Sequence, residues 1–165
     1  MQADDLRAVM ERELRTLARE VAAYPDDAAL WRDVPGLANP GGVLARHLAG
    51  NVRAFIGTVL GGGGFVRDRD GEFAARGLTR AEVVAEVEAA RAEVARVLPT
   101  LDAARLAAEY PQAVGGHRFT TARFVTHLAV HLGYHLGQLD YHRRMVAPAS
   151  GTVGTLPLGE LQGGP

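Results

Sequence analysis

Histidines are the residues of this chain whose spacing carries the most chemistry. Of six, His47 lies in one segment of helical periodicity, while His127, His131, His135 and His142 crowd another. Histidines four apart on an α-helix differ by about 40° in azimuth and one turn in height, so both imidazoles reach a single ion. A third ligand must then come from another helix. Three neutral imidazoles without a carboxylate at the same level leave coordination positions to water or substrate, as catalytic sites do and closed structural sites do not. Zn²⁺ and Ni²⁺ both suit imidazole, and affinity order does not choose between them.

The apolar stripe selects the pair. On the last helical segment Val125, Leu128, Leu132, Leu136 and Leu139 define the buried direction. At 100° per residue His135 lies about 60° from its centre, His131 about 100° and His127 about 140°. His131 and His135 therefore face inward together. His142 is about 10 Å beyond His135 along the axis and reads as a separate, partly buried histidine. His47 flanks the stripe Leu44, Leu48, Val52, Phe55 and Val59, which makes it the natural third ligand. Asn51, one turn on, is placed to orient His47. Gln138, one turn past Tyr134, is placed with it to orient a ligand imidazole or to touch a bound molecule.

These positions need long helices, and four segments supply them: residues 3–24, 42–60, 79–98 and 120–145, the first with Leu6, Met10, Leu14, Leu17 and Val21 on one face. Thr79 with Glu82 forms a capping box, and Thr120 or Thr121 caps the last segment. No segment alternates with period two. The expected fold is all-α, an up-down four-helix bundle with long crossover connections over residues 1–147, followed by a Gly/Pro-rich tail over 148–165. Trp31 is expected to anchor the loop 25–42, residues 67–73 to form a charged, salt-bridged crossover, and 110–119 a loop or short hairpin. The small residues Ala129, Gly133 and Gly137 open a groove for an internal neighbour or for a second copy in a homodimer.

Composition removes whole reaction classes. The 165 residues contain no cysteine and no lysine, which excludes thiolate metal sites, a cysteine nucleophile, Schiff-base chemistry and a P-loop. Any thiol chemistry must use an external thiol. A formal charge of -1 gives no basic field for nucleic acid. With no apolar run long enough to span a membrane and no signal-like start, a cytoplasmic protein with no membrane or nucleic-acid partner is expected. Haem is excluded because an HxxxH pair cannot put imidazoles on opposite faces of a porphyrin. The Glu-x-x-His pairs of a ferritin-like di-metal site are missing from the last segment.

The run His131-Leu-Gly-Tyr134-His135-Leu-Gly-Gln138, with upstream His47-Leu-Ala-Gly-Asn51, resembles the DinB-like superfamily of metal-binding four-helix bundles. The added run Arg67-Asp-Arg-Asp-Gly-Glu72-Phe73 is similar to that of one branch of it. The resemblance extends over residues 6–145 and departs where members often carry His or Arg, at Tyr134 and Leu136. It implies one divalent metal on His47, His131 and His135, and a partner that is a small-molecule thiol or electrophile. Members include bacillithiol S-transferases and mycothiol-dependent maleylpyruvate isomerases, others being known only as damage-inducible. The implied function is a metal-dependent thiol S-transferase or hydrolase; the alternative is a non-catalytic metal-binding protein of the damage response.

Overall fold

In the computed structural model, which describes residues 2–154 and 156–161, the chain is helical, with no strand among those residues. Seven α-helices follow in order: α1 (Ala3–Ala22), α2 (Asp27–Leu30), α3 (Gly41–Val52), α4 (Arg69–Ala74), α5 (Arg80–Val97), α6 (Ala103–Ala107) and α7 (Thr121–Val146). The four long rods α1, α3, α5 and α7 form the bundle. Both α5 and α7 pack against α1 and against α3, so α1 stands diagonal to α3 and α5 diagonal to α7. Two of the three connections between rods, 23–40 and 98–120, therefore cross the bundle diagonally, while the third joins the neighbouring rods α3 and α5.

The α1 stripe is buried at every expected position, with Met10, Leu14, Leu17 and Val21 fully enclosed. Each such side chain contributes roughly 1.5–3 kcal/mol of apolar burial. The capping box is present: Thr79 Oγ1 accepts from the Glu82 backbone, and a Glu82 carboxylate oxygen accepts from the Thr79 N–H at 2.8 Å. Thr120 caps α7.

The second rod departs from expectation in its lower half. Residues 53–60 continue α3 as a π-helix, Arg53–Leu60, in which the Gly61 N–H reaches back five residues to the Ile56 carbonyl at 3.0 Å. The wider turn shifts the inward face by one residue. Ile56 and Leu60 are buried, while Phe55 and Val59, expected in the stripe, are only partly covered.

Connections show the same mixture. Trp31 packs down, its indole N–H donating to the Leu78 carbonyl at 2.7 Å, against Gly42, where a Cβ would come within 2.6 Å of the ring. The short helix α2 lies inside this loop because Asp26 caps it. Residues 110–119 form a hairpin-like loop held by two isolated bridges, Glu109 with Thr120 and Val114 with His117. In the crossover, Asp68 caps a helical turn, α4, where only an ordered loop was expected. Past α7, the buried Arg143 holds Ser150 Oγ at 2.6 Å and the Gly151 carbonyl at 3.1 Å.

Candidate metal centre

Three rings converge at the level where α3 faces α7. One ligand-type atom from each of His47, His131 and His135 lies within 4.8 Å of the others. Nε2 of His47 and Nε2 of His131 are 3.4 Å apart. That is close to the edge of about 3.3–3.4 Å that a tetrahedron with Zn–N bonds of about 2.0–2.1 Å requires. Three histidines from two helices can therefore hold a metal ion. Among the described residues no carboxylate joins the cluster.

The outer edges of two of the three rings, His135 and His47, have a hydrogen-bond partner. The Nδ1 of His135 is 2.6 Å from Gln138 Oε1; an amide oxygen can only accept, so Nδ1 carries the proton and Nε2 keeps its lone pair. Gln138 thus orients a ligand imidazole, that of His135.

For His47 the partner is Glu72, and Asn51, buried on the same helix, does not take that place. Glu72 Oε2 lies 3.3 Å from His47 Nδ1. Arg67 holds the carboxylate with two bonds of 2.8 Å, Nε to Oε1 and Nη2 to Oε2. Burial pushes the Glu72 carboxyl up, but the bonds from Arg67 and His47 outweigh it and keep it below its ordinary value. An ionised Glu72 draws the ring proton to Nδ1 and frees Nε2. Arg67 Nη2, 3.1 Å from the same nitrogen, is a competing donor; a cation held on Nε2 would select the tautomer with the proton on Nδ1.

Neither Glu72 nor Arg67 is singled out as a site residue by its spacing, because the charged run reads first as a salt-bridged crossover. It is ion-paired as expected, yet its principal pair lies against His47. The available signal was Gly50: a Cβ there would come 1.9 Å from Glu72 Oε1. Glycine at this helical position lets the carboxylate approach the rod. Phe73, on the same turn, covers His47 with ring centroids 4.9 Å apart.

Burial, with the neighbouring imidazoles second, lowers His131 to about 4. His135 is lowered too, mainly by burial. Both rings are therefore neutral near pH 7, as ligands must be. His127 and His117 are exposed. His142 is fully buried rather than partly so, and away from the cluster: Tyr24 Oη meets its Nδ1 at 2.7 Å and the Arg32 carbonyl its Nε2 at 2.8 Å.

Beside the cluster a cavity of about 520 Å³ is lined by Leu37, Asn39, Leu44, Tyr134, His135 and Gln138, among others. Tyr134 is 63% exposed and stands edge-on to His135 at 5.1 Å. Gly133 and Gly137 are exposed, and a Cβ on either would meet nothing within 4 Å. The groove they form is thus not filled by an internal neighbour among the described residues.

The chain is thus an all-helical bundle with one histidine on the second rod and an HxxxH pair on the last, a set that could hold a metal ion. Residues 9–139 match the DinB superfamily, and the chain belongs to that superfamily. No curated protein matches it. Among the described residues no helix is long and apolar enough to cross a membrane.

Proposed function

We propose that the chain binds one divalent ion, Zn²⁺ or Ni²⁺, through His47, His131 and His135, and acts as a metal-dependent transferase of a low-molecular-weight thiol or as a hydrolase. The observation that carries this reading is the 520 Å³ cavity opening directly onto His135 and Gln138, a volume typical of small-molecule sites, which run from about 300 to 1,000 Å³. When bound, such an ion lowers the pKa of a coordinated thiol or water near neutrality. The chain's own residues do the rest. Gln138 and Glu72 hold two imidazoles with their lone pairs inward, and the Arg67 bond keeps Glu72 ionised. Leu37 and Leu44 give the cavity an apolar wall, while Tyr134 and Asn39 offer polar edges for orienting a bound molecule. Because the chain has no cysteine, the nucleophilic sulfur has to arrive with a cosubstrate.

The test is conjugation of 1-chloro-2,4-dinitrobenzene with bacillithiol, mycothiol or glutathione by metal-loaded protein. The expected result is metal-dependent product above the rate with free metal alone, lost in His131→Ala. Metal-loaded protein no faster than free metal with every thiol, and equally inactive on ester and amide substrates, overturns the catalytic reading.

A further inference from the structure

A second cavity lies on the other side of the cluster, where the 110–119 loop folds over the first turns of α7. It measures about 390 Å³ and is lined by Val114, Phe119, Arg123, Phe124 and His127. Its walls are flat and nearly aligned: the rings of Phe119 and Phe124 are 13° from parallel at 6.2 Å, and those of Phe124 and His127 22° from parallel at 6.0 Å. The floor is rigid. Phe124 is buried against Tyr110 at 4.5 Å and edge-on to Phe55 at 5.1 Å, and the Tyr110 hydroxyl donates to the Phe55 carbonyl at 2.7 Å.

Charge separates this cavity from its neighbours. The cavity near Glu13, Glu20 and Asp140 is acidic, and the one near Arg46 and Arg53 also holds Asp68, Glu72 and Glu86. Here the lining carries a guanidinium and an imidazole and no carboxylate. Nearby Arg118 is paired with Glu109, whereas the Arg123 guanidinium has no hydrogen-bond or ion-pair partner among the described residues. Aromatic faces hold a flat ring by stacking, and a guanidinium fork receives a carboxylate through two parallel charge-assisted bonds.

We infer that this cavity is a binding site for a small planar carboxylate, its ring against Phe119 and Phe124 and its anionic end on Arg123. The site touches no residue of the metal cluster, though His127 stands 6.0 Å from the His131 ring, so the inference stands apart from the metal reading.

Titration of the protein with 4-(trifluoromethyl)benzoate and with the neutral 4-(trifluoromethyl)benzamide, followed by ¹⁹F NMR before and after chelator treatment, tests it. The acid is expected to bind about tenfold more tightly than the amide, the scale of one charge-assisted contact. Arg123→Gln, at an exposed position, should cost the acid about that factor and leave the amide unchanged, while Phe119→Ala weakens both. Binding should survive the chelator. Equal affinity for acid and amide, an unaffected Arg123→Gln, no binding of the acid, or loss of binding on chelation, which would place the carboxylate on a metal, overturns the inference.

Discussion

Glu72 Oε2 meets Nδ1 of His47 at 3.3 Å across 25 residues of sequence, so the crossover after the second rod fixes a ring on that rod. The carboxylate is there because Gly50 has no Cβ to exclude it and because Arg67 clamps both of its oxygens. Loss of a group that orients a metal-binding histidine typically lowers affinity about 10–100-fold. Glu72→Gln and Gly50→Ala are each expected to weaken Zn²⁺ binding within that range while the helical circular dichroism is kept. Competition titration against a chromophoric chelator reads it, and wild-type affinity in both variants would contradict the role given to Glu72.

Gln138 does for His135 what Glu72 does for His47, but with a neutral amide. Gln138→Leu should therefore lower metal affinity less than Glu72→Gln does, by about tenfold. The same titration decides, and a larger loss than in Glu72→Gln would reverse the ranking.

Acid sensitivity follows from the lowered histidines. An unfolded His131 takes up its proton near 6.5, the folded one only near 4. Between those values the unfolded chain binds more protons, so stability is fully present above about 6.5 and is lost as the pH falls toward 4. His142, lowered by burial, acts in the same direction, since protonation would leave Nδ1 no longer able to accept from Tyr24. Glu20 acts oppositely, because burial raises its carboxyl against the pull of Arg143. For chelator-treated protein, urea midpoints should fall across this window, and the fall should shrink in His131→Ala. An unchanged slope in that variant would count against the depressed His131.

Arg143 is fully buried and holds Glu20 Oε2 at 2.6 Å. Truncating one partner of a buried pair leaves the other charge uncompensated, at a cost of about 3–5 kcal/mol. Arg143→Met should lose about that much in urea denaturation. Arg143→Met combined with Glu20→Leu should recover part of it, and strict additivity of the two losses would contradict the pairing.

Much of this was legible in the sequence because helical periodicity is a local signal. The stripes of α1 and α7 lie buried where the 3.6-residue repeat puts them, and the same repeat singled out His131 and His135 over His127. Local periodicity failed where the backbone changed its own period: the π turns after Val52 moved burial from Phe55 and Val59 to Ile56 and Leu60. It also could not reach across the chain. Asn51 is the polar group one turn on from His47 along the helix, but the group that touches the ring comes from α4, and nothing in a run of alternating Arg and Asp says which face of it turns inward.

The central claim is that imidazoles from α3 and α7 share one cation. Elemental analysis of untagged wild-type protein beside His47→Ala and His131→Ala tests it most directly. The account predicts about one divalent ion per chain in the wild type and almost none in either variant, with helical content retained in all three. Metal content equal to wild type in both variants would contradict it.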